Sequence, residues 1–423
     1  MTVLQSKTQH VSTTRQAMSK ARLTNTSSAP HKQASMKNAV PVFPLEIFEL
    51  TLDELHSQSD HKALSICAAV CRAFAHRCRV HLFRRMKIST TAIKAHLIRL
   101  SGQPHAAPYF KYVRSLSIMC SCTLEDVVHL SAIMPNVEAL EFATGNVTPV
   151  WSAPPTSLVL FSTISTLDIR SCTFPSLETL QQTIDSLPQL STLKLQGVRW
   201  HDSGALPNFA LGQKLHLTKL ILEFMVSPNA TSFLEWLLCT PIVDTIRVLD
   251  IADCAMSTPV LLHFLARVQN SLDKLSLRFR SHSDSNVLDA WRTAGLRFKL
   301  TSLDIGLDER LTTPCRLALL VNILENSFCQ GLRRLRLRLD ASIVSGGKTW
   351  VEGNLALLEA LDVVLQKDLF RDLHRFNLVL EGKIHSDIDP QSVTELVMKH
   401  LPNLRNRAVL VEIQVYGTLF QLQ

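Results

Sequence analysis

The sequence predicts an α/β solenoid, one strand and one helix per repeat, preceded by a small bundle of three helices. Three observations carry this. A six-residue apolar pattern recurs from Val113 onward, segments of helical spacing lie between its copies, and a shorter helical stretch of different character comes before it. The 423 residues are 46% hydrophobic and 19% charged, a globular composition with enough apolar surface for a large core.

Residues 1–41 are rich in Ser, Thr, Gln, Lys and Ala and show no apolar period. They bury too little surface to offset the entropy of ordering, and so read as a disordered basic arm. Being basic, serine-containing and acid-free, the arm also fits a mitochondrial transit peptide, whereas a secretory signal would need an apolar core there. The arm explains the net charge. Six of the 44 Lys and Arg residues (Lys7, Arg15, Lys20, Arg22, Lys32 and Lys37) precede the first acid, Glu46, which leaves 38 basic against 36 acidic residues. The chain's formal net charge is +8, but the part beyond the arm is close to neutral and has no global footprint for nucleic acid. No stretch approaches the roughly 18 continuous apolar residues of a membrane span. The ten cysteines are scattered without regular spacing, which points to reduced thiols in the cytoplasm and/or nucleus.

Residues 42–88 read as three helices. Pro44 suits a first helical turn, and Leu45, Phe48, Leu52 and Leu55 keep helical spacing. Leu64, Cys67, Val70, Cys71 and Phe74 make a second stripe, and Val80, Leu82 and Phe83 a third. So small a core needs a partner or the following domain to lean on. This segment resembles the F-box, with particular similarity to fungal F-box-like proteins. Phe43-Pro44-Leu45-Glu46-Ile47 stands for the family's Leu-Pro-x-Glu-Ile, Val70-Cys71-Arg72-Ala73-Phe74 for its Val-Cys-Arg-x-Trp, and Leu82-Phe83 for its closing Leu-Phe. Thr51 occupies a usually aliphatic position, and Phe74 that of the Trp.

Residues 89–111 read as a linker helix and residues 112–423 as the solenoid. The unit is apolar-x-x-Leu-x-apolar: Val113-x-x-Leu116-x-Ile118, Val137-x-x-Leu140-x-Phe142, Ile164-x-x-Leu167-x-Ile169 and Leu190-x-x-Leu193-x-Leu195. It continues with the central residues Leu220, Leu249, Leu275, Leu303, Leu335 and Leu361. The spacing runs from 24 residues (Leu116 to Leu140) to 32 (Leu303 to Leu335), which identifies a leucine-rich repeat of slightly long period. The fold expected is therefore an F-box followed by a leucine-rich-repeat solenoid, a parallel strand ladder with helices on its convex face. Leu177, Leu180, Ile184 and Leu187 mark one such helix, Leu261, Leu265 and Val268 another, and Leu320, Ile323 and Leu324 a third. Pro135, Pro188 and Pro402 are expected to stop helices before the next strand. The units around Phe376 and Ile413 are irregularly spaced and read as an atypical C-terminal cap.

Catalytic and metal motifs are missing. Cys67, Cys71, His76, Cys78 and His81 lack the turn spacing of a zinc site, and Cys172 and Cys254 fit buried thiols. Ser345-Gly346-Gly347-Lys348-Thr349 resembles the end of a phosphate-binding loop, but Ser342 stands where that motif needs glycine. A non-enzymatic protein without cofactors is expected. Alternation along the strands places Lys274, Arg278 and Arg280, and two repeats later Arg334, Arg336 and Arg338, on the concave face, with Asp304 between and Asp362 beyond. This set reads either as an ion-pair ladder or as a substrate-binding patch for an anion. The F-box resemblance implies docking through Pro44, Leu45, Ile47, Leu64, Val70, Arg72 and Phe74 onto a Skp-type adaptor, and through it a cullin-RING ubiquitin ligase. The repeats would then hold a protein substrate. The alternative, grounded on Thr51 and Phe74, is an interaction scaffold outside ubiquitin ligation whose F-box is non-functional.

Overall fold

The computed structural model describes residues 45–58, 60–70, 72–120, 124–143, 160–202, 215–279, 290–291, 293–307, 320–321, 323–324, 331–340, 356, 358–381, 390–407, 409–415 and 418–422. The first helices follow from the leucine spacing: α1 is Leu45–Ser57, α2 His61–Val70 and α3 Arg72–Phe83. Asp60 opens α2 by accepting the Ala63 backbone N–H at 2.9 Å. Leu52, Leu64 and Cys78 are buried at the centre, with Leu55, Cys67, Ala68, Phe74 and Leu82 packed around them.

The strands then appear at the repeat motifs. They are β1 (Arg85–Ile88), β2 (Ser115–Ile118), β3 (Ala139–Ala143), β4 (Thr166–Arg170), β5 (Thr173–Ser176), β6 (Thr192–Gln196), β7 (Arg199–Asp202) and β8 (Lys219–Glu223). There follow β9 (Val248–Ala252), β10 (Lys274–Phe279), β11 (Ser302–Leu307), β12 (Arg334–Asp340), β13 (Arg375–Glu381), β14 (Leu410–Val415) and β15 (Thr418–Leu422). Among the described residues, thirteen of them form one sheet in chain order, and β5 pairs separately with β7. Every pair in the large sheet is parallel except β14 with β15. The central leucines share one registered row, from Leu116 through Leu220 to Leu335, and the row runs on through Phe376 and Val411. Their side chains join those of α6 (Leu124–Ile133), α7 (Leu177–Asp185), α8 (Asn229–Leu238) and α9 (Thr258–Val268) in one contiguous core. This is a leucine-rich-repeat solenoid, since the strands bury their leucines against one another and against the helices between them.

The turns after four strands repeat one geometry. Ser171, Gly197, Phe224 and Asp253, each four residues past a central leucine, have φ between 53° and 58°. Each donates its backbone N–H to a carbonyl at the end of the next strand: the final residues Gln196, Glu223 and Ala252, and the penultimate Arg278, at 2.7 to 3.1 Å. The following residue, Cys172, Val198, Met225 or Cys254, is buried beneath the turn.

Several boundaries differ from expectation. The ladder starts inside the segment assigned to the F-box, because β1 pairs in register with β2. Phe83-x-x-Met86-x-Ile88 is a copy of the repeat with Met in place of Leu, and the linker contains the helix of that repeat, α4 (Thr91–Ser101). Leu358-x-x-Leu361-x-Val363 is not a strand: residues 358–364 are helical, and Val363 is 58% exposed. Apolar-x-x-Leu is also helical spacing, and Leu365 completes the helical face. The strand of that repeat is β13, so the units assigned to an irregular cap are regular ladder strands. Asp362 accordingly leaves the concave face. Its buried carboxylate accepts the backbone N–H groups of Asn403 and Leu404, both at 2.9 Å, and caps the short helix Pro402–Asn406. Pro402 thus opens a helix rather than ending one.

Candidate adaptor and ligand surfaces

The helical bundle turns apolar side chains outward. Ile47 (49% exposed) and Leu50 (65%) lie three residues apart on α1, and Ile66 (59%) and Val70 (67%) four apart on α2. Large apolar side chains this open are energetically unsatisfied in water. Of the residues expected to dock an adaptor, Ile47 and Val70 are each exposed. Leu64 is not: it is fully enclosed with Leu52 and Cys78, so its part is to hold the helices together. Phe74 is half-buried against the same core, Leu45 opens α1 and Arg72 opens α3, while Pro44 lies outside the described residues. Leu50 and Ile66 were missed. The signal was present in the helical offset of three from Ile47 and four from Val70.

A polar lock joins α1 to α3. Arg77 donates to both oxygens of Asp53, at 2.9 and 2.8 Å through Nη2, and His81 Nε2 lies 2.7 Å from Asp53 Oδ1. The Arg77 hydrogen bonds hold the Asp53 carboxyl below its ordinary pKa. His56 stacks on His81 with ring centroids 4.6 Å apart. Burial first, and then His81, Arg84 and Arg85, push the His56 pKa down.

On the ladder, the face opposite the helices carries the residues that alternate with the buried leucines. Lys274, Ser302 and Arg334 share one registered row, Ser276, Asp304 and Arg336 the next, and Arg278, Gly306 and Arg338 the third. The strand spacing foreseen from the sequence therefore holds, but the centre of the face is an ion-pair ladder. Arg338 donates to both Asp304 oxygens, at 3.1 and 2.7 Å. Glu223 receives Lys194 at 2.9 Å and faces Arg278 at 3.8 Å. Asp250 lies in the same cluster, where burial raises its pKa and Ser276 and Arg278 oppose the rise. A Cβ on Gly306 would stand 2.7 Å from Arg278 Cγ, so this glycine makes room for the arginine to cross its strand. Arg280 lies outside the described residues, as do Cys71 and the segment 345–349.

Among the described residues no cluster of His, Cys, Asp and Glu could hold a metal ion. Burial pushes the Cys172 and Cys254 thiols up to about 12, which leaves them without nucleophilic character at neutral pH.

No family model and no curated protein matches the chain. Solved structures do. The Rad7 and Elc1 complex of yeast aligns at 15% identity over 88% of this chain and 88% of that one, with a TM-score of 0.44. An internalin, inlF of Listeria monocytogenes, aligns at 13% identity over 81% of this chain and 83% of that one, with a TM-score of 0.35.

Proposed function

We propose that the chain is the substrate-recognition subunit of a Skp/cullin/F-box ubiquitin ligase, in which helices α1–α3 dock the Skp-type adaptor and the repeat ladder holds a protein substrate. One observation carries the reading. The three-helix segment that bears the F-box-like motifs exposes Ile47, Leu50, Ile66 and Val70, while its buried apolar cluster among the described residues is Leu52, Leu64 and Cys78. An apolar surface on so small a bundle is what a partner must cover. Transfer chemistry then belongs to other subunits, and the complex works in the cytoplasm or nucleus.

The test is co-purification with a Skp-type adaptor. Leu50→Asp with Val70→Asp should abolish capture and leave the unfolding free energy of the chain within about 0.5 kcal/mol, since neither side chain is enclosed. The scaffold reading is favoured by exposed Thr51, a polar residue beside Leu50 at a position where the family is aliphatic. Wild-type chain that ignores the adaptor would establish that reading instead.

A further inference from the structure

Lys194, Arg278 and Arg338 on the face of the ladder are held by acids, but most of the cations at its leading edge from β8 to β12, where the chain enters the strands, are not. Two rows of residues line that edge. The inner row runs Lys219, Val248, Lys274, Ser302, Arg334, Arg375 by strand register. The outer row, joined by backbone hydrogen bonds from strand to strand, runs Thr218, Arg247, Asp273, Thr301, Arg333, His374. Arg247, Lys274, Arg333 and Arg334 are exposed, as is Lys299 just before β11. Among the described residues none of Lys219, Arg247, Lys274, Lys299, Arg333 and Arg334 takes part in an ion pair, and Asp273 is the one acid in the two rows from β8 to β13. Arg375 alone is paired, with Glu412 at 2.6 Å.

The same rows on earlier strands look different. They read Arg84 and Arg85 at β1 and Arg114 and Ser115 at β2, where Arg114 pairs with Glu138, and then, without a cation, Glu138 and Ala139, Ser165 and Thr166, and Ser191 and Thr192. There the hydroxyls are turned on the ladder itself, Ser191 Oγ donating to the Ser165 carbonyl at 3.1 Å. Positive charge is thus absent from the rows of β3 to β6 and returns at β8.

We propose that the leading edge of β8–β12 binds an extended acidic segment of a partner protein, carboxylate-rich or phosphorylated, which crosses the strands along Lys219, Lys274 and Arg334. The spacing suits this occupant. Lys219, Lys274 and Arg334 sit on every second strand, about 10 Å apart, and an extended peptide covers that distance in about three residues. A run of acids, or phosphates at every third position, meets all three. The arginines at 333 and 334 add planar groups that grip carboxylate or phosphate with paired hydrogen bonds. Single-stranded nucleic acid fits less well: the rows from β8 to β13 hold no Phe, Tyr or Trp on which bases stack. This inference deepens the recognition reading by naming the substrate class, and it moves the anion site from the self-neutralised centre of the face to its rim.

Fluorescence anisotropy on the full chain provides the test. The probes are labelled poly-glutamate, a peptide with phosphoserine at every third residue, poly-glutamine and poly-uridylate. Poly-glutamate or the phosphopeptide should bind, with affinity falling as salt rises, and poly-glutamine should not. Lys274→Glu with Arg334→Glu should weaken binding by about tenfold or more. Arg99→Glu with Lys399→Glu, the same charge change on helices away from the edge, should leave it within about twofold. Lys274→Gln with Arg334→Gln repeats the measurement without introducing acids, and thermal melts verify folding of all variants. Unchanged binding in both edge variants overturns the proposal, and so does tighter binding of poly-uridylate than of either acidic peptide. Adaptor capture is measured on the same proteins. Edge variants that still capture adaptor but lose peptide separate the two claims, and a wild type that binds peptide without capturing adaptor defeats the ligase reading alone.

Discussion

The helical bundle and the repeat ladder solve the same burial problem to different degrees. In the ladder, the central leucines of nine successive strands are sealed against helices and neighbouring strands in one continuous core. Among the described residues of the bundle, Leu52, Leu64 and Cys78 make the buried apolar cluster, with Ala75 and His81 also buried, and four large apolar side chains are exposed. The ladder buries its leucines against its own neighbours, whereas the bundle leaves large apolar side chains exposed. An exposed valine on a ladder helix is background, but four aliphatic residues on two short helices mark a surface.

That contrast can be broken most forcefully at the two cores. Leu220→Ala and Leu64→Ala each empty a fully buried site and should each cost about 2–5 kcal/mol of the unit they belong to. Hydrogen exchange distinguishes them: Leu220→Ala should loosen β6, β8 and β9, and Leu64→Ala only α1–α3. Loosening of the ladder strands by Leu64→Ala would mean that bundle and ladder unfold as one. A smaller effect tests the turns. Gly197 is left-handed at φ 58°, and Gly197→Val should cost about 2 kcal/mol by putting a β-branched side chain there, read from the denaturation midpoint. The smallest effect concerns pH. His56 has a depressed pKa, so the folded bundle favours its neutral form, and stability should fall as pH drops below the ordinary value of about 6.5. Asp53, depressed by Arg77, contributes stability that persists until pH falls below its ordinary carboxylate range, so it does not act in the same window. His56→Phe should flatten the pH dependence of bundle exchange between about pH 7 and 5 while the ladder stays unchanged.

Much of this was legible in the sequence because the leucine row is set by a two-residue alternation that one strand cannot satisfy alone. Misreadings fell where the pattern is shared by another structure or disguised by a substitution. Leu358, Leu361 and Leu365 serve a helix, and only the exposure of Val363 separates the two. Met86 hides the first strand behind an unbranched side chain that packs into the same core. For the candidate sites, sequence placed Ile47 and Val70 by motif and aligned the arginines of β10 and β12 by register. It did not reveal which cations are neutralised, since Arg338 and Arg334 look alike along the chain and differ only because Asp304 reaches one of them.

The reversed last strand bears on how such an array changes over time. A ladder whose edge stays parallel can accept one more copy of its unit, and duplication at the end is the simplest way to lengthen it. Here β15 turns back on β14 and occupies that edge with antiparallel bonds. A further parallel unit added after it would find no matching edge to join, so lengthening at this end has to occur inside the array. Duplication within β8–β12 would lengthen the basic rim together with the ladder, and the length of acidic segment it grips would follow the repeat number.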